Sequence, residues 1–517
     1  MKKHLFRLLC TVLPLVLLTG CWQAELIEEE PDVLPPVVEE EPPPETPRVV
    51  LPETFALPYA PSQTLDPVEC SDGIQQVVGS LLYEGLFRLD NALEPQPSLC
   101  ASYTYDPATY RYTFTLREGV AFSDGSSLTA ADVRATLERA RQSERYRSRL
   151  AGVASISGRG DTVTITLTGP NTGFPALLDI PIIKSGTQKN TVPTGTGPYC
   201  YAAEGGNAYL TVNPGWWRGG GQPLERIPLV EAADHDALLY RFSSHDIQLM
   251  TADLTGTQSS GTTGKVGCMD AETTVLQYLG CNTARAPLDN LALRRALWNG
   301  INRTYVVSAF LSGHGSAAQF PVSPVSRLYP SGLEETGSAD TFSAALLQTG
   351  YTAERPLTLL VNEENSFKKS IAGFLAESLT NAGLPVEVQV LPWAEYNAAL
   401  TAGEFDLYYG EVRLTADWNL APLLATGGAL NYSRWSNPQT DALLAAFAAA
   451  EDRTAAMNTL CAHLQSQAPI LPVCFKSTSV LYQADVLENL TPTAAEPFYN
   501  LTSCTIHLRE PDAETGE

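Results

Sequence analysis

The sequence predicts an α/β fold, and three features point to it. Segments of strict apolar–polar alternation, rich in β-branched and aromatic residues, recur between residues 110 and 409. Amphipathic segments with helix start and stop signals lie between them. Hydrophobic content of 44% and aromatic content of 9% are those of a globular chain. Strands alternating with helices favour largely parallel sheets. A length of 517 residues leaves room for two or three domains.

The first twenty-one residues are of another kind. Lys2, Lys3, His4 and Arg7 make a positive start, 8–18 is apolar, and Leu18-Thr19-Gly20 leads into Cys21. A short positive region, a short apolar run and small residues before a cut mark a secretory signal peptide. The apolar run falls short of the roughly 20 residues a bilayer span needs. Residues 1–20 therefore read as a signal peptide. Residues 24–61 are acidic and Pro-rich, as in Glu39-Glu40-Glu41-Pro42-Pro43-Pro44. Proline removes amide donors and like charges repel, so 21–61 reads as an extended spacer. Residues 511–517 read as a disordered acidic tail.

Within the body of the chain, 110–116 alternates as a strand. Asp124-Gly125 marks a turn, and Thr129 with Asp132 three residues on opens a helix running to about 141. Residues 163–167 form a strand and 291–311 one helix. Strands follow at 357–361, 386–390 and 405–409. Helices follow at 367–382 (stopped by Gly383), 396–402, 440–450 and 453–467.

Net charge is −24 with a pI near 4.7. That argues against nucleic acid as a partner, because phosphate binding needs clustered Lys and Arg. Of ten cysteines, Cys10 leaves with the signal peptide. Outside the cytoplasm, Cys70, Cys100, Cys200, Cys268, Cys281, Cys461, Cys474 and Cys504 suggest disulfides, with Cys268–Cys281 and Cys461–Cys474 as candidate pairs. No C-x-x-C pair or Cys/His cluster appears, so neither a metal site nor a cofactor is expected. His235, His245 and Asp246 are close in sequence but lack a third ligand. Neither a G-x-S-x-G, an H-E-x-x-H nor a P-loop appears, so catalysis is not expected.

The order of motifs resembles a known family. Leu65-Asp66-Pro67 precedes Leu82-Tyr83-Glu84-Gly85-Leu86. Then come Phe114-Thr115-Leu116-Arg117-Glu118-Gly119-Val120, Phe122-Ser123-Asp124-Gly125 and Leu128-Thr129-Ala130-Ala131-Asp132-Val133. Gly195-Thr196-Gly197-Pro198-Tyr199, residues 291–303 and the stretch from Asn437-Pro438 to Leu444 continue the pattern. This resembles the family 5 solute-binding proteins (oligopeptide, dipeptide and nickel) of ABC importers, over nearly all of 62–505.

The resemblance implies a two-lobed periplasmic-binding-protein type II-like fold with an additional inserted domain. Lobe I would comprise 62–83, 194–276 and 478–510, the inserted domain II 84–193, and lobe III 277–477. The chain would cross between lobes near 274–281 and 472–481. Ligand would sit between lobes I and III, which close on it by a hinge. Cys21 after Thr19-Gly20 resembles a lipobox, implying a lipid on Cys21 that ties the protein to a membrane.

The ligand candidates follow from the same resemblance. Leu414-Thr415-Ala416-Asp417-Trp418-Asn419 resembles the segment whose aspartate pairs with a peptide's α-ammonium group. A buried ammonium loses hydration and needs a fixed opposite charge, so Asp417 is the leading candidate. Capping of a helix at 420–424 is its bland alternative. Arg413 could pair with a ligand carboxylate or with Glu411. Trp418 could stack on cargo or pack in the core. Leucine stands at 414 where the family has tryptophan.

The expected role is an extracytoplasmic binding lipoprotein, acting as a monomer on the outer face of the cytoplasmic membrane in a Gram-positive type of cell. It would capture a peptide or other small solute and hand it to an ABC permease. A surface sensor or signal-peptide receptor of the same fold, and a catalytic lipoprotein such as a peptidase, are the other readings.

Overall fold

The computed structural model describes residues 51–256 and 265–509. The expected signal peptide, Cys21, most of the spacer and the 511–517 tail lie outside these residues. The spacer ends earlier than 61. Phe55 and Leu57 are buried, and strand Leu57–Tyr59 pairs in parallel with Arg226–Glu231. The alternating apolar residues Phe55, Leu57 and Tyr59 are what the core takes up once the proline run has passed.

Three large apolar cores organise the described chain. One is built by residues 55–83, 183–249 and 480–504. It carries a four-stranded sheet in the order Leu57–Tyr59, Arg226–Glu231, Asn207–Val212, Tyr199–Glu204. A second, between residues 68 and 182, sits under an antiparallel sheet in the order Cys100–Asp106, Arg111–Leu116, Thr162–Leu167, Val153–Arg159, against helix Ala130–Ala140. The expected cap is present there: Asp132 Oδ2 accepts from the Thr129 backbone N–H (3.0 Å) and hydroxyl (2.6 Å). Gly125 takes the Asp-Gly turn at φ +83°.

The third and largest core runs mainly from 276 to 475. Its seven-stranded sheet has the order Leu249–Ala252, Ile470–Gln483, Val266–Cys281, Leu407–Arg413, Leu357–Asn362, Val386–Leu391. Gly315–Ala317 adds to Ile470–Gln483. Val266–Cys281 and Ile470–Gln483 pair antiparallel over most of their length. Val480 belongs to the first core and Phe475 to the third, so one strand serves both.

Several expectations are corrected here. Among the described residues the sheets are mostly antiparallel, with parallel pairing confined to three strand pairs. Hairpins build the second core and the two long strands run in opposite directions, so few helical crossovers remain to make parallel neighbours. The single helix expected at 291–311 is two, Leu291–Asn299 and Arg303–Phe310. The first stops at Gly300, and Asn302 caps the second, its Oδ1 accepting from the Tyr305 N–H at 3.1 Å. The strand expected at 405–409 is Leu407–Arg413, and the helix at 396–402 starts already at Trp393.

The disulfide pairs are corrected too: all eight cysteines are free thiols. Cys268 and Cys281 lie near opposite ends of one extended strand, Val266–Cys281. Thirteen residues at about 3.3 Å each hold them roughly 40 Å apart, against a bridgeable Cα separation of about 4.4–6.8 Å. Cys461 and Cys474 are buried in the third core, and burial pushes both thiols up, Cys474 to about 12.

Candidate functional site

Strand Leu407–Arg413 is central in the large sheet, flanked by Val266–Cys281 and Leu357–Asn362. Its run Leu407-Tyr408-Tyr409 is buried on both faces, which fixes the strand's register. The chain then leaves the sheet, and Leu414 N–H still donates to the Thr274 carbonyl (2.9 Å). A tight turn follows, with Trp418 at φ +56°.

Trp418 is 1% exposed and meets the Phe475 ring edge-on at 5.9 Å. The bulk of this side chain anchors the turn in the third core and directs its neighbour Asp417 the other way. Trp418 thus packs in the core, the second of the two roles open to it, and is not among the residues lining the cavity beside Asp417.

Asp417 is 3% exposed and lines a cavity of about 380 Å³. Its Oδ1 accepts from the Thr415 hydroxyl (2.5 Å) and the Asn419 N–H (3.3 Å). Its Oδ2 accepts from the Asn171 amide (2.8 Å). The capping alternative fails: helix Ala421–Leu424 begins after Leu420, and Asn419, not Asp417, accepts from the Ala421 N–H (3.1 Å).

The opposite wall comes from residues 148–177 of the second core, with Arg149, Pro170 and Phe174 among the liners. The space beside Asp417 is thus closed on this side by the segment expected as inserted domain II. The seam between the two walls is polar. Thr172 donates from its N–H to Ala448 (3.0 Å) and from its hydroxyl to Ala450 (2.8 Å). Arg453 donates to the Asp417 carbonyl. A Cβ on Gly173 would overlap the Arg453 guanidinium, which would have to move aside. Glu94 and Arg327 pair across the same seam at 3.1 Å.

Arg413 lines the cavity and is exposed. Arg149 pairs with Asp179. Burial lowers its pKa to about 10, opposed by the charges of Tyr146 and Asp417, and it stays cationic at neutral pH. One carboxylate and two guanidiniums therefore share a single space. Arg149 and Asn171 escaped sequence reasoning; the one signal was the cluster Arg145-Tyr146-Arg147-Ser148-Arg149.

Glu411 lies elsewhere. Its Oε2 accepts from the Gln277 amide (2.9 Å) and pairs with Lys368 (3.3 Å) and Lys476 (3.8 Å). Lys476, only 5% exposed, also pairs with Asp253 at 2.6 Å. Two carboxylates thus compensate a buried ammonium between the long crossing strands. Glu411 belongs to this ion cluster and does not partner Arg413. His245 has φ +63°, and Asp246 pairs with Arg241 at 2.8 Å.

Residues 94–428 match the model for bacterial extracellular solute-binding proteins, family 5. The chain belongs to this family. Among curated relatives, the glutathione-binding protein GsiB of Escherichia coli (strain K12) is 27% identical over 416 residues, covering 74% of this chain and 80% of that protein. Among solved structures, the unliganded open form of the periplasmic murein tripeptide binding protein MppA superposes with TM-score 0.74 at 21% identity, covering 88% of this chain and 98% of the other. A nickel ABC transporter protein from Bacillus halodurans superposes with TM-score 0.73 at 21% identity, covering 86% and 98%. This family 5 member thus has the two-lobed binding-protein fold read from its motifs. Family 5 proteins serve ABC transporters outside the cytoplasm as solute-binding proteins, not enzymes, and the catalytic reading falls with that.

Proposed function

We propose that this protein captures a short peptide or a peptide-sized zwitterion at the Asp417 cavity and delivers it to an ABC permease. The observation that carries this reading is the pairing of opposite charges in one space. The Asp417 carboxylate is fixed by three donors and Arg413 lies on the same cavity. An α-ammonium group on Asp417 and a carboxylate on Arg413 would each find a charged partner. A volume of about 380 Å³ lies at the small end of ligand pockets, which suits a short cargo. Glutathione and a murein tripeptide, named for two of the relatives, are solutes of this kind.

Closure is the second element of the reading. Polar contacts that can break and re-form join the two sides of the cavity, among them Asn171 to Asp417 and Thr172 to Ala448 and Ala450. Cargo that bridges them binds the closed form better and shifts the open–closed balance toward it. Deleting the paired permease genes should abolish uptake of the bound peptide while leaving binding by the purified protein intact. Unchanged uptake would contradict delivery.

The third element is anchoring. Cys21 would carry the lipid, and the acidic Pro-rich segment would set the reach of the binding domain from the membrane. Cys21→Ala should move the protein from the membrane to the soluble fraction. Retention in the membrane would overturn the anchor.

A further inference from the structure

The long strand Val266–Cys281 presents Cys268, Asp270 and Glu272 on one face, because successive side chains alternate. Its partner strand Ile470–Gln483 places Ser479 opposite Asp270, and the Ser479 hydroxyl donates to Asp270 Oδ1 at 2.6 Å. From the other side comes His314, the residue just before the short strand Gly315–Ala317, which pairs with Lys476, Phe475 and Cys474. Its ring Nδ1 lies 3.0 Å from Asp270 Oδ2. A ligand atom from each of Cys268, Asp270 and His314 lies within 4.8 Å of the other two.

We propose that Cys268, Asp270 and His314 form a binding site for a zinc-type divalent cation. One thiol, one imidazole and one carboxylate form the mixed S/N/O donor set that zinc takes, and hard cations such as magnesium do not. Zinc bonds of about 2.0–2.3 Å in a tetrahedron place donor atoms about 3.3–3.8 Å apart. The present spacing needs side-chain adjustments of only about 1 Å. Two hydrogen-bonded strands hold Cys268 and Asp270 in fixed register. Ser479 orients the Asp270 carboxylate as an outer-shell donor does.

On binding, the Cys268 thiol gives its proton to solvent and the thiolate takes the metal. Water completes the fourth position, on the exposed side where Cys268 and Asp270 lie. Glu272 flanks the site on the same face. Its Oε1 accepts from the Ser316 hydroxyl (2.7 Å), while its buried Oε2 has no hydrogen-bond partner among the described residues. The site is separate from the Asp417 cavity, none of whose liners it uses. The ion would tie the Val266–Cys281 strand to the His314 turn, beside the Ile470–Gln483 strand that serves two cores.

The test is a cobalt titration of the full chain, purified in detergent and stripped with chelator. One equivalent of Co²⁺ should give a thiolate-to-cobalt charge-transfer band in the near ultraviolet and the intense visible bands of four-coordinate cobalt. One equivalent of Zn²⁺ should remove both. Cys268→Ser should abolish the charge-transfer band, and His314→Gln should weaken binding at least tenfold, each with a wild-type circular dichroism spectrum. Titration of the wild-type chain without a charge-transfer band, or the same band in Cys268→Ser, would overturn the proposal. Because Asp417 plays no part, peptide binding by both variants should match the wild type.

Discussion

Replacing Asp417 by alanine should weaken peptide binding by roughly thirty- to several-thousandfold, because truncating one partner of a buried charge pair costs about 2–5 kcal/mol. The size of the effect follows from the setting. The carboxylate is 3% exposed and held by Thr415, Asn419 and Asn171, so it cannot move to follow a misplaced ammonium, nor can water replace it cheaply. Asp417→Asn should fall between wild type and alanine. It keeps the volume but carries one oxygen and one NH₂ where Asp417 accepts on both oxygens, so one side must place donor against donor. Isothermal titration with a bound peptide recovered from the native protein gives the comparison. Equal affinity for wild type and Asp417→Ala would remove Asp417 from the site.

Trp418→Ala should instead act on stability. The side chain is 1% exposed against Phe475, and emptying such a site costs about 3–5 kcal/mol. The backbone adds to this. At φ +56° the turn is held in a strained region by the very packing that the substitution removes. Thermal unfolding followed by circular dichroism should show the transition of the third core move down by several degrees. A variant that keeps its stability yet loses peptide affinity would show that Trp418 faces cargo after all.

Together these two substitutions separate neighbours in the sequence into different roles, and that is where sequence reading reached its limit. Asp417 is a candidate because its surrounding stretch resembles a family segment. Arg149 and Asn171 could not be found in that way, since they come from a different core more than two hundred residues earlier and meet Asp417 only through the fold. Strands such as Arg111–Leu116 and helices such as Ala130–Ala140 were legible because their periodicity is strong and local. The break at Gly300 carried a local signal, Asn299-Gly300, that the apolar spacing on either side outweighed, and a capping event, Asn302 on Tyr305, divides the helix. Cysteine spacing misled twice. Cys268 and Cys281 look like a pair but lie along one extended strand, whereas Cys268 meets His314 by way of a turn forty-six residues on.

The electrostatics of the site also explain how a chain of net charge −24 can hold an anionic group. Net charge governs solubility and long-range steering, while binding depends on what lines the cavity. Here Arg149 and Arg413 supply local positive charge beside Asp417.

The central claim is that cargo lies in the space between residues 148–177 and 412–430, with its ammonium on Asp417 and its carboxylate on Arg413. A crystal structure of the protein bound to its native peptide tests this most directly. Peptide density within hydrogen-bond distance of both Asp417 and Arg413 is the predicted result. Well-defined peptide density elsewhere, with both side chains clear of it, would contradict the account.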